Sequence, residues 1–257
     1  MHEFFRASQD ESNETIERFE KMLHGERTLY FDVHEIESLF DYFMESDDYE
    51  LAEKVLVAGL SQHPDAITLK IRQASLLTDK DMLEEALDLL NTIEKIESTN
   101  SDVFVNLGWI YLKQDSIDKA LKYFEFAVQI SENTDKEDLL LEIGVNLNQN
   151  DFFKQSILFL KRCLAINPAN ENGLFELAYA YDRLELSDLS IATYEKLLDI
   201  NPFLENAWYN LAIQYNKNDR FQDALDAYDF AIVINGNYSD AYFNKGNTLV
   251  NMAMFDK

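Results

Sequence analysis

Apolar residues along this chain recur as pairs of short helical stripes. Between Glu205 and Tyr238, Trp208, Leu211, Ala212 and Tyr215 are followed by Ala224, Tyr228 and Ala231. Steps of three and four predict two amphipathic helices joined by a polar turn at Asn216 to Arg220. The pattern returns 34 residues earlier at Leu174, Leu177, Ala178, Tyr181, Ser190 and Tyr194, with Pro202 closing the unit. It returns again at Leu140, Ile143, Gly144, Leu147, Ser156, Leu160 and Cys163, closed by Pro168. A chain written this way is expected to be all-α, a stack of helical hairpins.

In order, the register predicts an N-terminal tail and capping helix over residues 1–31, then complete units at 33–66, 67–100, 101–134, 137–170, 171–204 and 205–238. The first helix of a truncated seventh unit occupies 239–257. Ile16, Phe19 and Leu23 share one face of a helix from about Glu14 to His24, Gly25 is placed to end it, and Met1 to Asp10 is expected to fray. Asp32 can cap the first unit, Glu35 can complete a capping box, and Phe31 can staple onto Ile36. The second unit is the weakest match, because Lys70 and Gln73 stand where apolar residues are usual, and Asp135 with Lys136 read as an insertion before the fourth. A unit broken off at Lys257 predicts the N-terminal fragment of a longer array, its end packing on another copy.

Two offsets stay small, Phe40 in the first unit excepted. The eighth residue of successive units is Phe40, Ala74, Gly108, Gly144, Ala178, Ala212 and Gly246; the twentieth is Ala52, Ala86, Ala120, Ser156, Ser190 and Ala224. Small side chains at both let antiparallel helices approach closely while larger neighbours fill the grooves. Acids recur at the hairpin turns as Asp47, Asp81, Asp115, Asp151, Glu185 and Asp219. A carboxylate ladder suggests cations, but the repeat spacing holds the turns apart, so each acid is expected to cap the second helix of its hairpin.

Composition agrees: only 7 Gly and 3 Pro interrupt 257 residues that are 47% hydrophobic. The net charge of -26 repels phosphate backbones and anionic lipid, so no nucleic-acid or membrane partner is expected. The lone cysteine, Cys163, excludes an internal disulfide and falls on an apolar face, as a small core residue rather than a nucleophile. Met1 to Glu20 lacks a signal peptide's apolar run, and nothing approaches the ~18 apolar residues of a membrane span. A cytoplasmic chain is the expectation. His2, His24, His34 and His63 show no metal-ligand spacing and no phosphate-cradling glycine loop occurs, so neither enzymatic activity nor a cofactor or metal is expected.

The Trp208, Leu211, Ala212, Tyr215, Ala224, Tyr228 pattern, with Pro64, Pro168 and Pro202 closing their units, resembles the tetratricopeptide repeat (TPR). The resemblance covers residues 33–238. It implies a right-handed α-solenoid whose first helices line a concave groove, serving as a scaffold for segments of other proteins. RNA-binding pentatricopeptide repeats are disfavoured by the acidic balance.

In the family's geometry the second, fifth, sixth, ninth, twelfth and thirteenth residues of each unit face the groove. That implies large rings from Trp109, Phe175, Tyr179, Tyr209 and Phe243 as binding anchors. The aliphatics Val105, Leu141 and Val145 are more simply read as packing between first helices. Asn106, Asn210 and Asn244 share the sixth offset, where family amides often hold a peptide backbone, and Lys113, Arg183 and Lys217 add positive charge near Asp102, Asp138, Asp182 and Asp240. The clamp that holds acidic chaperone tails needs a set of Lys, Asn and Arg on three successive units that this chain lacks; its first unit offers Glu37 and Asp41. The expected ligand is therefore an apolar or mildly basic protein segment. The alternative is a self-assembling structural solenoid, a homo-oligomer formed through the truncated last unit.

Overall fold

The structure, a computed structural model, describes residues 14–25 and 29–255. Among them are fourteen helices and no strand. The expectation for Met1 to Asp10 lies outside the described residues. The chain divides into two compact units, residues 1–130 and 131–257.

Unit 1 holds α1 (14–23), α2 (Val33–Glu45), α3 (Tyr49–Gln62), α4 (Ile67–Asp79), α5 (Leu83–Glu94), α6 (Ser101–Lys113) and α7 (Ile117–Ile130). Unit 2 holds α8 (Lys136–Gln149), α9 (Phe153–Ile166), α10 (Glu171–Arg183), α11 (Ser187–Ile200), α12 (Glu205–Lys217), α13 (Phe221–Ile234) and α14 (Ser239–Phe255). Within each unit every helix from α2 onward packs on its chain neighbour, so hairpins stack as a helical solenoid. Helices this short are marginal alone in water, so each depends on its buried stripe.

The first unit opens as the residues dictate. The Asp32 side chain accepts from the Glu35 N–H, and Glu35 Oε2 accepts from the Asp32 N–H, closing a capping box at α2. Phe31 is fully buried in the same cluster as Ile36. α1 covers this end by inserting Phe19 against Phe31 and Phe43, with ring centroids 6.0 and 6.1 Å away. Leu23, placed by periodicity on the same buried face, is 41% exposed, because α1 ends beside it and Gly25 turns the chain away at φ +80°.

The small offsets sit where helices cross. A Cβ on Gly108 would fall 2.6 Å from Phe124 Cδ1, and one on Gly144 would fall 2.6 Å from Leu160 Cγ. Ser156 Oγ donates to the Gly144 carbonyl at 2.7 Å and Ser190 Oγ to the Ala178 carbonyl at 2.9 Å, so the twentieth residue of a hairpin hydrogen-bonds the backbone of the eighth. Ala52, Ala74, Ala86, Ala120, Ala178, Ala212 and Ala224 are all fully buried. Cys163 is buried too, and burial pushes its thiol up to about 11.

The turn acids require a correction. Asp47, Asp81, Asp115, Asp151, Glu185 and Asp219 do not cap the second helices; all six adopt left-handed backbone with φ between 55° and 64°. Each stands just past the end of a first helix and donates its N–H three residues back, as Asp47 does to the Met44 carbonyl. The following N–H reaches five residues back, as Asp48 does to Phe43 and Leu186 does to Tyr181. This is the Schellman stop, and it satisfies carbonyls that the helix end leaves open. Aspartate recurs because its short polar side chain tolerates the left-handed region better than most L-residues. The cap of α3 is Asp48, whose side chain accepts from the Leu51 N–H.

Candidate functional site

The residues expected to line a groove divide between the two units. Asn106 and Trp109 lie on α6 in unit 1. Phe175, Tyr179, Arg183, Tyr209, Asn210, Lys217, Phe243 and Asn244 lie on α10, α12 and α14 in unit 2. In unit 1, Trp109 is half-buried with its ring 4.3 Å from that of Phe124, and the Asn106 amide donates to the Asp102 carbonyl of its own helix.

In unit 2 the first helices are stitched to one another by side chains. The Asn148 amide on α8 donates to the backbone and carboxylate oxygens of Glu176 on α10, at 3.0 and 2.8 Å. Lys217 on α12 donates to Asp182 on α10, and the Asn244 amide on α14 donates to the Tyr209 hydroxyl on α12 at 2.8 Å. Asn210 hydrogen-bonds the Tyr194 hydroxyl, a phenol that burial holds well above its ordinary range. Tyr209 is raised as well, by burial first and the nearby Asp240 second, with the Asn244 bond opposing.

The rings differ in exposure. Phe175 meets Tyr194 edge-on at 5.8 Å, Tyr179 meets Phe153 at 6.0 Å, and Tyr209 packs 5.0 Å from Tyr238; all three of the expected anchors are half-buried. Phe243 is 70% exposed. The two cations are engaged by acids: Arg183 lies 3.9 Å from Asp151 and over the Phe153 ring, and Lys217 is paired with Asp182. Sequence reasoning placed charge near charge here without recognising that the cations are committed.

Sequence reasoning also missed three buried amide oxygens that find no hydrogen-bond donor among the described residues: Asn148 Oδ1, Gln214 Oε1 and Asn216 Oδ1. Asn148 and Gln214 are almost fully enclosed. Each stands in a helix whose periodicity leaves a polar residue free to face either way, so only the structure distinguishes them from surface amides. Buried polar groups are normally satisfied, so three such acceptors in one unit is a departure.

Tetratricopeptide repeat profiles match residues 101–134 and 172–203, and a second profile of the same repeat matches 193–226. Residues 101–134 and 172–226 are tetratricopeptide repeats. Such repeats are in general protein-interaction modules without catalytic activity. Solved structures share the fold. The crystal structure of YrrB, described as a TPR protein with an unusual peptide-binding site, matches with a TM-score of 0.53 at 21% identity, covering 74% of this chain and 97% of that one. The crystal structure of MamA matches at 0.51 and 18%, covering 65% and 96%. A MamA RS-1 ArsTM double mutant matches at 0.52 and 17%, covering 68% and 98%. At these identities the likeness is one of fold. No curated protein matches in sequence. Among the described residues no helix is long and apolar enough to cross a membrane.

Proposed function

We propose that this chain is a non-enzymatic scaffold whose second unit receives an apolar, mildly basic protein segment along the first helices α10, α12 and α14. The observation that carries this reading is the state of the charges. Arg183 and Lys217 are already held by Asp151 and Asp182, whereas Asp138 and Asp240 are in no ion pair among the described residues. A row of rings with surplus carboxylate favours a segment bearing apolar residues and an occasional Lys or Arg. The three amide oxygens without donors would accept N–H groups once side chains rearrange around a bound backbone. YrrB, with its peptide-binding site, lends the reading precedent at the level of fold.

The test is titration of the intact chain with a peptide library that varies charge at fixed apolar content. Saturable binding that prefers basic peptides and is lost in the Phe175→Ala, Tyr209→Ala double variant supports the proposal. Equal binding of acidic peptides, or binding indifferent to both truncations, refutes it.

A second reading, self-assembly, draws on α14. Its Tyr242 is 52% exposed, its Leu249 is 49% exposed, and nothing lies within 4 Å of a Cβ added to Gly246. The matching positions on α10, Leu174, Ala178 and Tyr181, are buried. Light scattering across a concentration series separates the two: a dimer abolished by Leu249→Glu with no peptide binding favours assembly.

A further inference from the structure

Unit 1 contains a cleft that neither the repeat register nor the groove reading uses. α5 runs for 12 residues, whereas α3 and α7 of the same unit run for 14. Beside its end, at Glu94, an open cleft of about 460 Å³ lies against α6 and α7. This is within the usual size of a small-molecule site, roughly 300–1,000 Å³.

One wall is aromatic. The Tyr111 and Tyr123 rings lie nearly parallel at 5.2 Å and 7°, Phe104 continues the stack 6.4 Å from Tyr123, and Phe126 meets Phe104 edge-on at 4.6 Å. Phe126 keeps 40% of its surface in solvent. The remaining lining residues are charged: Glu94 on α5, and Lys119 and Lys122 one turn apart on α7. None of the three is in an ion pair among the described residues, so opposite charges line the cleft without neutralising one another. Elsewhere in the unit Lys54, Arg72 and Lys80 are each bound by an acid. The Lys119 ammonium instead rests 5.0 Å from the centre of the Tyr111 ring.

The other hairpins act as an internal control. Where the third has Lys119, Lys122, Tyr123 and Phe126, the second has Glu85, Asp88, Leu89 and Thr92, and the fifth has Leu189, Ala192, Thr193 and Lys196. The fold does not require these residues at these offsets.

We propose that this cleft binds a small aromatic zwitterion, of which an aromatic α-amino acid is the simplest: its ring on the Tyr123 and Phe126 surfaces, which the buried Phe104 backs, its carboxylate toward Lys119 and Lys122, its ammonium toward Glu94. Each lining group then has a role, which a purely anionic or purely cationic ligand would not give.

Calorimetric titration of the full chain with L-tryptophan, 3-indolepropionate (no ammonium) and tryptamine (no carboxylate) tests this. L-Tryptophan is expected to saturate a single site, with each charge-deleted analogue weaker by roughly fivefold. Glu94→Gln should remove the advantage of L-tryptophan over 3-indolepropionate and leave the latter's affinity unchanged. Lys119→Met with Lys122→Met should remove its advantage over tryptamine. These side chains are in no ion pair, so circular dichroism of the variants should match the parent. Absence of saturable heat at millimolar L-tryptophan, either analogue binding as tightly as the amino acid, or insensitivity to Glu94→Gln would overturn the proposal.

Discussion

Glu185 stands at the one hairpin turn whose left-handed residue is not aspartate, with φ 59°. An L-residue pays about 1–2 kcal/mol for that backbone, because its Cβ crowds the following carbonyl. Glycine removes the crowding but has more freedom to lose on folding, which takes back about 0.4–1 kcal/mol. Glu185→Gly should therefore stabilise unit 2 by about 0.5–1 kcal/mol, or roughly 1–4 °C for a chain of this size. Two controls isolate the cause. Glu185→Gln removes the charge and keeps the Cβ, so it should change little; Asp219→Gly should gain less than Glu185→Gly, since aspartate already tolerates this region. Urea denaturation supplies the free energies, and hydrogen exchange at the Glu185 and Leu186 amides, which bond the Asp182 and Tyr181 carbonyls, reports the turn itself. A destabilised Glu185→Gly, or an equal gain from Glu185→Gln, would refute the argument from backbone geometry.

Other perturbations have equally defined signs. Gly108→Ala places a methyl against the Phe124 ring and should cost about 1–3 kcal/mol by overpacking, whereas Gly246→Ala has open space and should gain about 1 kcal/mol from helix propensity; equal urea midpoints for the two variants would contradict this. Ala120→Leu and Ala178→Leu should each cost about 1–3 kcal/mol, since both alanines are fully enclosed between helices, and unchanged thermal stability would undercut the register. Burial raises Cys163 from 9.0 to about 11 and Tyr228 from 10.0 to about 12, so the folded chain keeps protons that the unfolded chain releases. Stability is then fully present below pH 9 and lost as pH rises through the 9–12 window, with Tyr228→Phe flattening the decline above pH 10. Urea midpoints constant from pH 8 to 11 would exclude this.

The hairpins were legible because a 34-residue recurrence of apolar spacings constrains two helices and their turn at once. The capping box at Asp32 and Glu35 and the enclosure of Cys163 could be read locally, since each follows from a short pattern. The turn acids could not. Asp47 and its counterparts lie one residue ahead of the second helices' cap positions, and sequence alone does not separate a capping carboxylate from a left-handed stop; only the positive φ does. The state of Arg183 and Lys217 was hidden for a similar reason, because their partners Asp151 and Asp182 are 32 and 35 residues away and meet them only through the stacking of hairpins. The aromatic cleft at Tyr111 and Tyr123 escaped notice because it depends on where α5 stops, which local propensity sets weakly.

Reception of an apolar, mildly basic segment by the first helices of unit 2 is the function proposed for this chain. Its most direct test is amide chemical-shift mapping of the intact chain as the tightest library peptide is titrated in. Perturbations concentrated on α10, α12 and α14 around Phe175, Tyr209 and Phe243, weakened by added salt, are the expected result. Shifts confined to the second helices α11 and α13, or binding that strengthens for acidic peptides, would contradict it.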